Sequence, residues 1–209
     1  KYSKADPTLV YYYKVEVGDS VERNEWQTVK HVLDLTCNAA TDYVVYDRWN
    51  AMPEDAYLYS SAFTDCINHM QPQPMQSTAY AKTLRLTVRA PQLREGQRLA
   101  VVGAQKALGE WNLDKALPMT LHNYCEWAVD IDASLLDDDS IEFKLVVVNG
   151  SGLVMMWECG RNRTITLPQI KNGQTVVYSL DQAFFEIWNR KLAGTLVPVF
   201  SLRSKTSAG

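Results

Sequence analysis

Trp157, Glu158, Arg161, Asn162 and Arg163 place one indole beside a carboxylate, two guanidinium groups and an amide. Such a set suits a pyranose, because the aromatic ring meets the apolar face of the sugar while amide or guanidinium groups meet its hydroxyls. A second indole, Trp111 in Leu108-Gly109-Glu110-Trp111-Asn112, is flanked by Lys106, Asp114 and Lys115 in a loop where a strand cannot easily bury it. With Lys144 and Asn162, Trp111 and Trp157 make a candidate clamp. The plain readings compete: an aromatic residue of a small β-domain is more often core than ligand platform. Trp127, alternating with Val129 and Ile131, is read as core on that ground. Lys144 could equally be a solvated outer-face lysine, and Asn162 a turn residue that caps its own backbone.

The element that must position these groups runs over residues 141–167, IEFKLVVVNGSGLVMMWECGRNRTITL. Ile141, Phe143, Leu145 and Val147 alternate with Glu142, Lys144 and Val146, the period of a strand with one buried face. Asn149-Gly150-Ser151-Gly152 tolerates positive φ and predicts a turn, so the stretch reads as a hairpin of two strands. Leu84 to Val88, Arg98 to Val102 and Trp127 to Ile131 supply further short alternating strands, with Gly, Asn, Asp and Pro between them. That pattern predicts an all-β, antiparallel immunoglobulin-like sandwich of about 100 residues.

Part of the pattern occurs twice. Tyr13-Lys14 matches Phe143-Lys144, Trp26 in NEWQTVKHVLDL matches Trp157, and VVY at Val44 to Tyr46 matches VVY at Val176 to Tyr178. The lysines stand 130 residues apart and the VVY strands 132, which reads as an internal repeat whose first copy lacks its beginning. VYYYKVEV at residues 10–17 is expected as one strand, ahead of a Gly18-Asp19-Ser20 turn. Half a sandwich exposes edges and an apolar face, so the partial copy is expected to borrow strands, self-associate, or pack its Tyr-rich face on the complete copy. HMQPQPMQSTA at residues 69–79 reads as an extended linker with little to bury, and 57–67 as a segment packed on a neighbour. DQAFFEIWNRKL puts Phe184, Ile187 and Trp188 at helical spacing, with a strand-like connector nearly as good a reading.

Composition narrows the partners. At 209 residues and 46% hydrophobic, the chain has ample material for a core, and its net charge of −3 with no basic stripe disfavours nucleic acid. No apolar run of membrane-spanning length occurs. Cys37, Cys66, Cys125 and Cys159 are scattered, which signals neither a zinc site nor a disulfide framework and fits reduced thiols in the cytoplasm. Neither a metal nor any other cofactor is indicated. Asp137-Asp138-Asp139 reads as a solvated loop, and His31, His69 and His122 show no spacing to a nucleophile, so no catalytic residue is assigned.

The runs LAVVGAQKALGEWN, EWAVDI, IEFKLVVVNG and WECGRNRTITLP together resemble the family 20 carbohydrate-binding modules, the starch-binding domains. The resemblance implies that Trp111, Lys144, Trp157 and Asn162 form the principal site for maltooligosaccharides or longer α-1,4-glucans. In the family's second site an aromatic residue precedes the Gly of the second strand; Glu95 stands there, leaving Tyr124 as the remaining candidate. The first copy keeps Lys14 and Trp26 but carries Lys30-His31 in place of the Asn-Arg pair. The tail Gly194 to Ser204, GTLVPVFSLRS, is similar to the first barrel strand of family 77 4-alpha-glucanotransferases. By that resemblance residues 1–50 are the end of a first starch-binding domain, 51–82 a connector, 83–180 a complete second domain and 181–209 the start of a barrel. A parent enzyme would transfer α-1,4-glucan with retention, its carboxylates lying beyond Gly209. The alternative is a β-sandwich interaction or structural domain whose Trp residues are core and which has no sugar ligand.

Overall fold

A computed structural model describes residues 7–35, 42–66, 69–185, 187–190 and 196–200. Cys37 and the tail residues Ser201 to Ser204 lie outside these.

Sixteen strands occur among the described residues. In the first segment they are β1 (Thr8–Tyr11), β2 (Lys14–Val17), β3 (Ser20–Asn24), β4 (His31–Asp34) and β5 (Asp42–Tyr46). The following stretch contributes β6 (Lys82–Arg89), β7 (Gln97–Gly103), β8 (Leu117–Pro118), β9 (Thr120–Asn123), β10 (Glu126–Asp132), β11 (Ser140–Asn149), β12 (Val154–Trp157), β13 (Arg163–Thr166) and β14 (Gln174–Ser179). Finally β15 (Ile187–Arg190) and β16 (Leu196–Phe200) pair with each other, so the helical spacing read over 181–192 gives way to a strand.

Two sheets face each other. One has the order β5-β14-β6-β10-β9; the other is β12-β11-β7-β8, with β13 also on β11. Leu84, Leu86, Val88, Trp127, Val129 and Ile131 meet Leu99, Val101, Ile141, Phe143, Leu145 and Val147 in one core. Alternation on β6, β10 and β11 thus does what the pattern predicts, and the fold is the expected sandwich. It is not wholly antiparallel: β14 runs parallel to both β6 and β5.

Two single strands of the sequence reading are divided. VYYYKVEV breaks at Tyr12-Tyr13, with β1 pairing β4 and β2 pairing β3. The return arm after the Asn149 turn is split into β12 and β13, because Gly160 turns the chain at φ 88° and Glu158 and Arg163 close on each other across the loop. Both pieces still pair with β11.

The first segment seats on the sandwich. β5 adds to β14 in register, Val44 opposite Val176 and Tyr46 opposite Tyr178, so the two VVY runs are neighbours. Asp34, Val29 and Asn50 lie against the outer face of β6: the Asp34 carbonyl accepts from Arg85 Nη1 at 2.6 Å, and the Val29 carbonyl from Arg89 Nη2 at 3.2 Å. Arg85 is 1% exposed and its guanidinium also pairs with Asp130, Nε to Oδ1 at 2.7 Å. The residues 69–79 are extended but do bury side chain, contrary to the linker reading. Met75 is buried, its N–H donates to Asp34 Oδ2 at 3.1 Å, and Gln73 N–H donates to the Leu121 carbonyl at 2.7 Å. Residues 57–66 pack as expected, with Tyr59 fully buried and its hydroxyl donating to Gln182 Oε1 at 2.6 Å.

Candidate functional site

On β11 the residues opposite in parity to the core set are Glu142, Lys144, Val146 and Val148, which face away from the core. The strand register puts Lys144 beside Val102 of β7 and Val146 beside Trp157 of β12. Trp157 therefore stands on this outer face, and it is 43% exposed. Ala100, Val102, Val146 and Val148 form a small apolar floor there, with Leu113, Ala116 and Val154 packed on it. Leu113 and Ala116 belong to the loop that follows β7, so packing on that floor draws Trp111 of the same loop to the same face.

The Trp111 loop is built by glycines. A Cβ on Gly103 would lie 2.5 Å from the Glu142 carbonyl oxygen and 2.9 Å from Phe143 Cβ, so only glycine lets the β7 end press against β11. Trp111 N–H donates to the Gly103 carbonyl at 2.8 Å, which anchors the loop at that close approach. Trp111 itself adopts φ 61° and stays 36% exposed. An L-residue is uncommon in this left-handed region, and its use here presents the indole rather than burying it.

Lys144 and Asn162 tie the loop after Trp157 to β11. Lys144 is 9% exposed, and its ammonium donates to the Gly160 carbonyl at 2.6 Å, tying β11 to the loop between β12 and β13. Asn162 is exposed and its Nδ2 donates to Glu142 Oε1 at 2.8 Å. Lys144, Trp157 and Asn162 thus belong to β11 and the β12–β13 arm, and the loop that carries Trp111 packs on the same apolar floor through Leu113 and Ala116. Trp127, by contrast, is 4% exposed within the core.

Glu158 and Arg163, read from sequence as groups that would meet hydroxyls, turn to each other instead. Arg163 Nε donates to both Glu158 oxygens at 3.0 and 2.9 Å, and Glu158 is buried. Cys159 N–H donates to the Phe184 carbonyl at 2.8 Å, fastening the loop from below. The five-residue spacing of an acid and a base across a Gly turn was the available signal for such a clasp. Arg161 stays exposed.

The weaker candidates sit differently. Lys14 is exposed and paired with Glu16, whose carboxylate raises the ammonium pKa. Trp26 is half-buried edge-on to Tyr59, ring centres 5.3 Å apart. Tyr124 donates its hydroxyl to the Tyr59 carbonyl at 2.7 Å and meets Thr64 Oγ1 at 2.6 Å, holding the 57–66 segment.

A polar cluster unforeseen from sequence fills the junction of the two regions. Glu25, almost fully buried, accepts from Asn50 N–H at 2.5 Å, from Tyr13 N–H at 2.7 Å, and lies 3.1 Å from His31 Nε2. Tyr11 and Tyr13 both donate to Asp47 Oδ2, at 2.5 and 2.9 Å. Burial, reinforced by the Asp47 carboxylate, pushes the Tyr13 phenol up to about 12. On β10, burial works against the Glu126 carboxylate, but the hydrogen bond with His122 at 2.9 Å and the nearby charges of His122 and Arg89 outweigh it and lower its pKa.

Residues 82–177 match the family described as starch binding domain. The chain is 36% identical over 83 residues to a thermophilic beta-amylase of Thermoanaerobacterium thermosulfurigenes, covering 39% of this chain and 14% of that protein. It is 31% identical over 99 residues to a cyclomaltodextrin glucanotransferase of Geobacillus stearothermophilus, covering 46% of this chain and 14% of that protein. This chain therefore spans 14% of the length of each of these curated relatives. Among solved structures, the family 20 module of a maltotetraose-forming amylase from Pseudomonas saccharophila superposes with a TM-score of 0.38 at 23% identity, over 47% of this chain and 99% of that one.

Proposed function

We propose that the starch-binding domain at residues 82–177 holds α-1,4-glucan, without catalysis, on the outer face that carries Trp111, Lys144, Trp157 and Asn162. The observation that supports this is the contrast among three indoles: Trp111 and Trp157 are 36% and 43% exposed, whereas Trp127 is 4% exposed. A helical α-1,4 chain offers successive apolar ring faces to two separated indoles, and the exposed amide of Asn162 meets the hydroxyls between them. Lys144 acts on the loop as well as the sugar, since its ammonium already holds Gly160. Affinity electrophoresis of the chain in an amylopectin gel tests the reading. Retarded migration that is lost in Trp111→Ala and Trp157→Ala is the expected result; unretarded wild type would leave an interaction or structural domain instead.

The finer reading is that the chain comes from a cytoplasmic family 77 4-alpha-glucanotransferase with two starch-binding domains in tandem. It is supported by the repeated Lys-Trp-VVY pattern, by the GTLVPVFSLRS run, and by the names of two relatives, an amylase and a glucanotransferase. The named cytoplasmic setting draws on the free thiols of Cys66, Cys125 and Cys159. Leu9, Val10, Tyr12, Val17 and Val21 leave apolar surface exposed on the first segment, which supports self-association there, checked by sedimentation. Assay of the full-length protein for release of glucose and longer chains from maltotriose decides the enzyme reading.

A further inference from the structure

A cavity of about 210 Å³ opens where residues 48–53 arch over the ends of β6, β10 and β14. Trp49, Arg48, Arg89, Glu126, Asp181 and Gln182 line it. It lies on the sheet opposite the one that bears Trp111 and Trp157, and one of its walls falls outside the matched residues 82–177.

The charges there cancel in pairs. Arg48 is bonded to Asp181 and to the Ser179 carbonyl at 3.1 Å, and Arg89 Nε lies 3.8 Å from Glu126 while its terminal nitrogens hold Asn50 and Val29. The charged pairs Arg48–Asp181 and Arg89–Glu126 balance each other, which gives little attraction to a phosphate or an ammonium group. What remains is planar hydrogen-bonding capacity. Among the described residues one oxygen of Asp181 has no partner, and Arg48 Nη2 has none. Trp49 lines the cavity and is 38% exposed, with the Arg23 guanidinium standing 4.6 Å over its ring. An indole beside an Arg-carboxylate pair with unfilled hydrogen-bonding positions is a donor set for a neutral polyol. The volume is below the roughly 300 Å³ of a pocket for a drug-sized ligand, so it admits about one hexose ring.

We propose that this junction cavity is a second, weaker carbohydrate site that takes a single hexose unit of an α-glucan, with Trp49 as platform and the Arg48–Asp181 pair on its hydroxyls. It rests on the reading that the Trp111 face binds α-glucan. The site needs both regions of the chain, so the module by itself would lack it.

The test uses the whole chain carrying 5-fluorotryptophan, titrated with maltotetraose and followed by fluorine resonances. In the Trp111→Ala/Trp157→Ala double variant, the Trp49 resonance is expected to shift along a saturable curve, at least tenfold weaker than wild-type binding. Adding Asp181→Ala, which keeps the Trp49 reporter, removes that curve, and Trp49→Ala serves to assign the resonance. Wild-type binding with an unmoved Trp49 signal in the double variant overturns the inference alone. No binding by wild type overturns the Proposed function as well. A Trp49 shift that persists in Asp181→Ala assigns the indole but overturns the role of the pair.

Discussion

Phe143-Lys144 and Tyr13-Lys14 are nearly the same dipeptide in two stretches of similar sequence, and they do different work. Lys144 lies mid-strand in β11 with neighbours on both sides, is 9% exposed, and reaches across to hold the loop of Trp157 and Asn162. Lys14 begins the four-residue strand β2, whose only strand partner among the described residues is β3, and its ammonium meets Glu16 in water. The indoles part in the same way, Trp157 held out and Trp26 turned edge-on to Tyr59. The difference is the sheet beneath. In the sandwich an apolar floor of Ala100, Val102, Val146 and Val148 lies under the candidate site, whereas β2 and β3 form a pair that is mostly exposed. A residue pattern becomes a binding site only where a rigid layer sets its groups in one plane.

Breaking the layer should have the largest effect. Trp127→Ala opens a cavity between the sheets and should lower stability by about 3–5 kcal/mol, read from denaturant midpoints, while Trp157→Ala moves the midpoint little and weakens glucan binding tenfold or more. If the two variants behave alike, the contrast between presented and enclosed indoles fails. Asp130→Ala strands the buried Arg85 guanidinium beneath the first segment and should cost about 3 kcal/mol, whereas replacing both, Arg85→Met with Asp130→Leu, should recover much of it. The comparison sharpens at the lysines. Lys144→Ala should lose about 1.5–3 kcal/mol and weaken binding together, because it releases the Gly160 carbonyl, and Lys14→Ala should stay within about 0.5 kcal/mol on both readouts.

The smallest effect is a titration. Because the Glu126 pKa is lowered in the fold, its contribution is fully present above the ordinary glutamate value of about 4.3 and is lost as pH falls through the folded value. The acid limb of the stability profile should therefore be shallower in Glu126→Gln. An unchanged limb would show that the His122 contact contributes nothing at that pH.

Most of the sandwich was legible because a sheet with one face on a core writes itself as alternation. Leu84, Leu86 and Val88, or Ile141 to Val147, needed no partner to be named. The site was partly legible: the Gly-rich loop around Trp111 and the turn after Trp157 both mark rings that a strand cannot bury. Glu158 and Arg163 were misread because type and spacing show that two planar groups are near, and only packing shows that they close on each other. The same limit split VYYYKVEV, whose continuous β-propensity hides a change of partner at Tyr12-Tyr13.

Local sequence by itself determined which residues form strands, which face of each is apolar, and which loops hold glycine for a positive φ. The tertiary structure decided what covers the polar face. Arg85, Thr87 and Arg89 alternate with Leu84, Leu86 and Val88 as though facing water, yet the first segment lies on them, and Arg85 is buried with its guanidinium on the Asp130 carboxylate and the Asp34 carbonyl. A polar side chain has the same sequence signature whether its partner is solvent or a carboxylate 45 residues away, because alternation records only which side is not hydrocarbon.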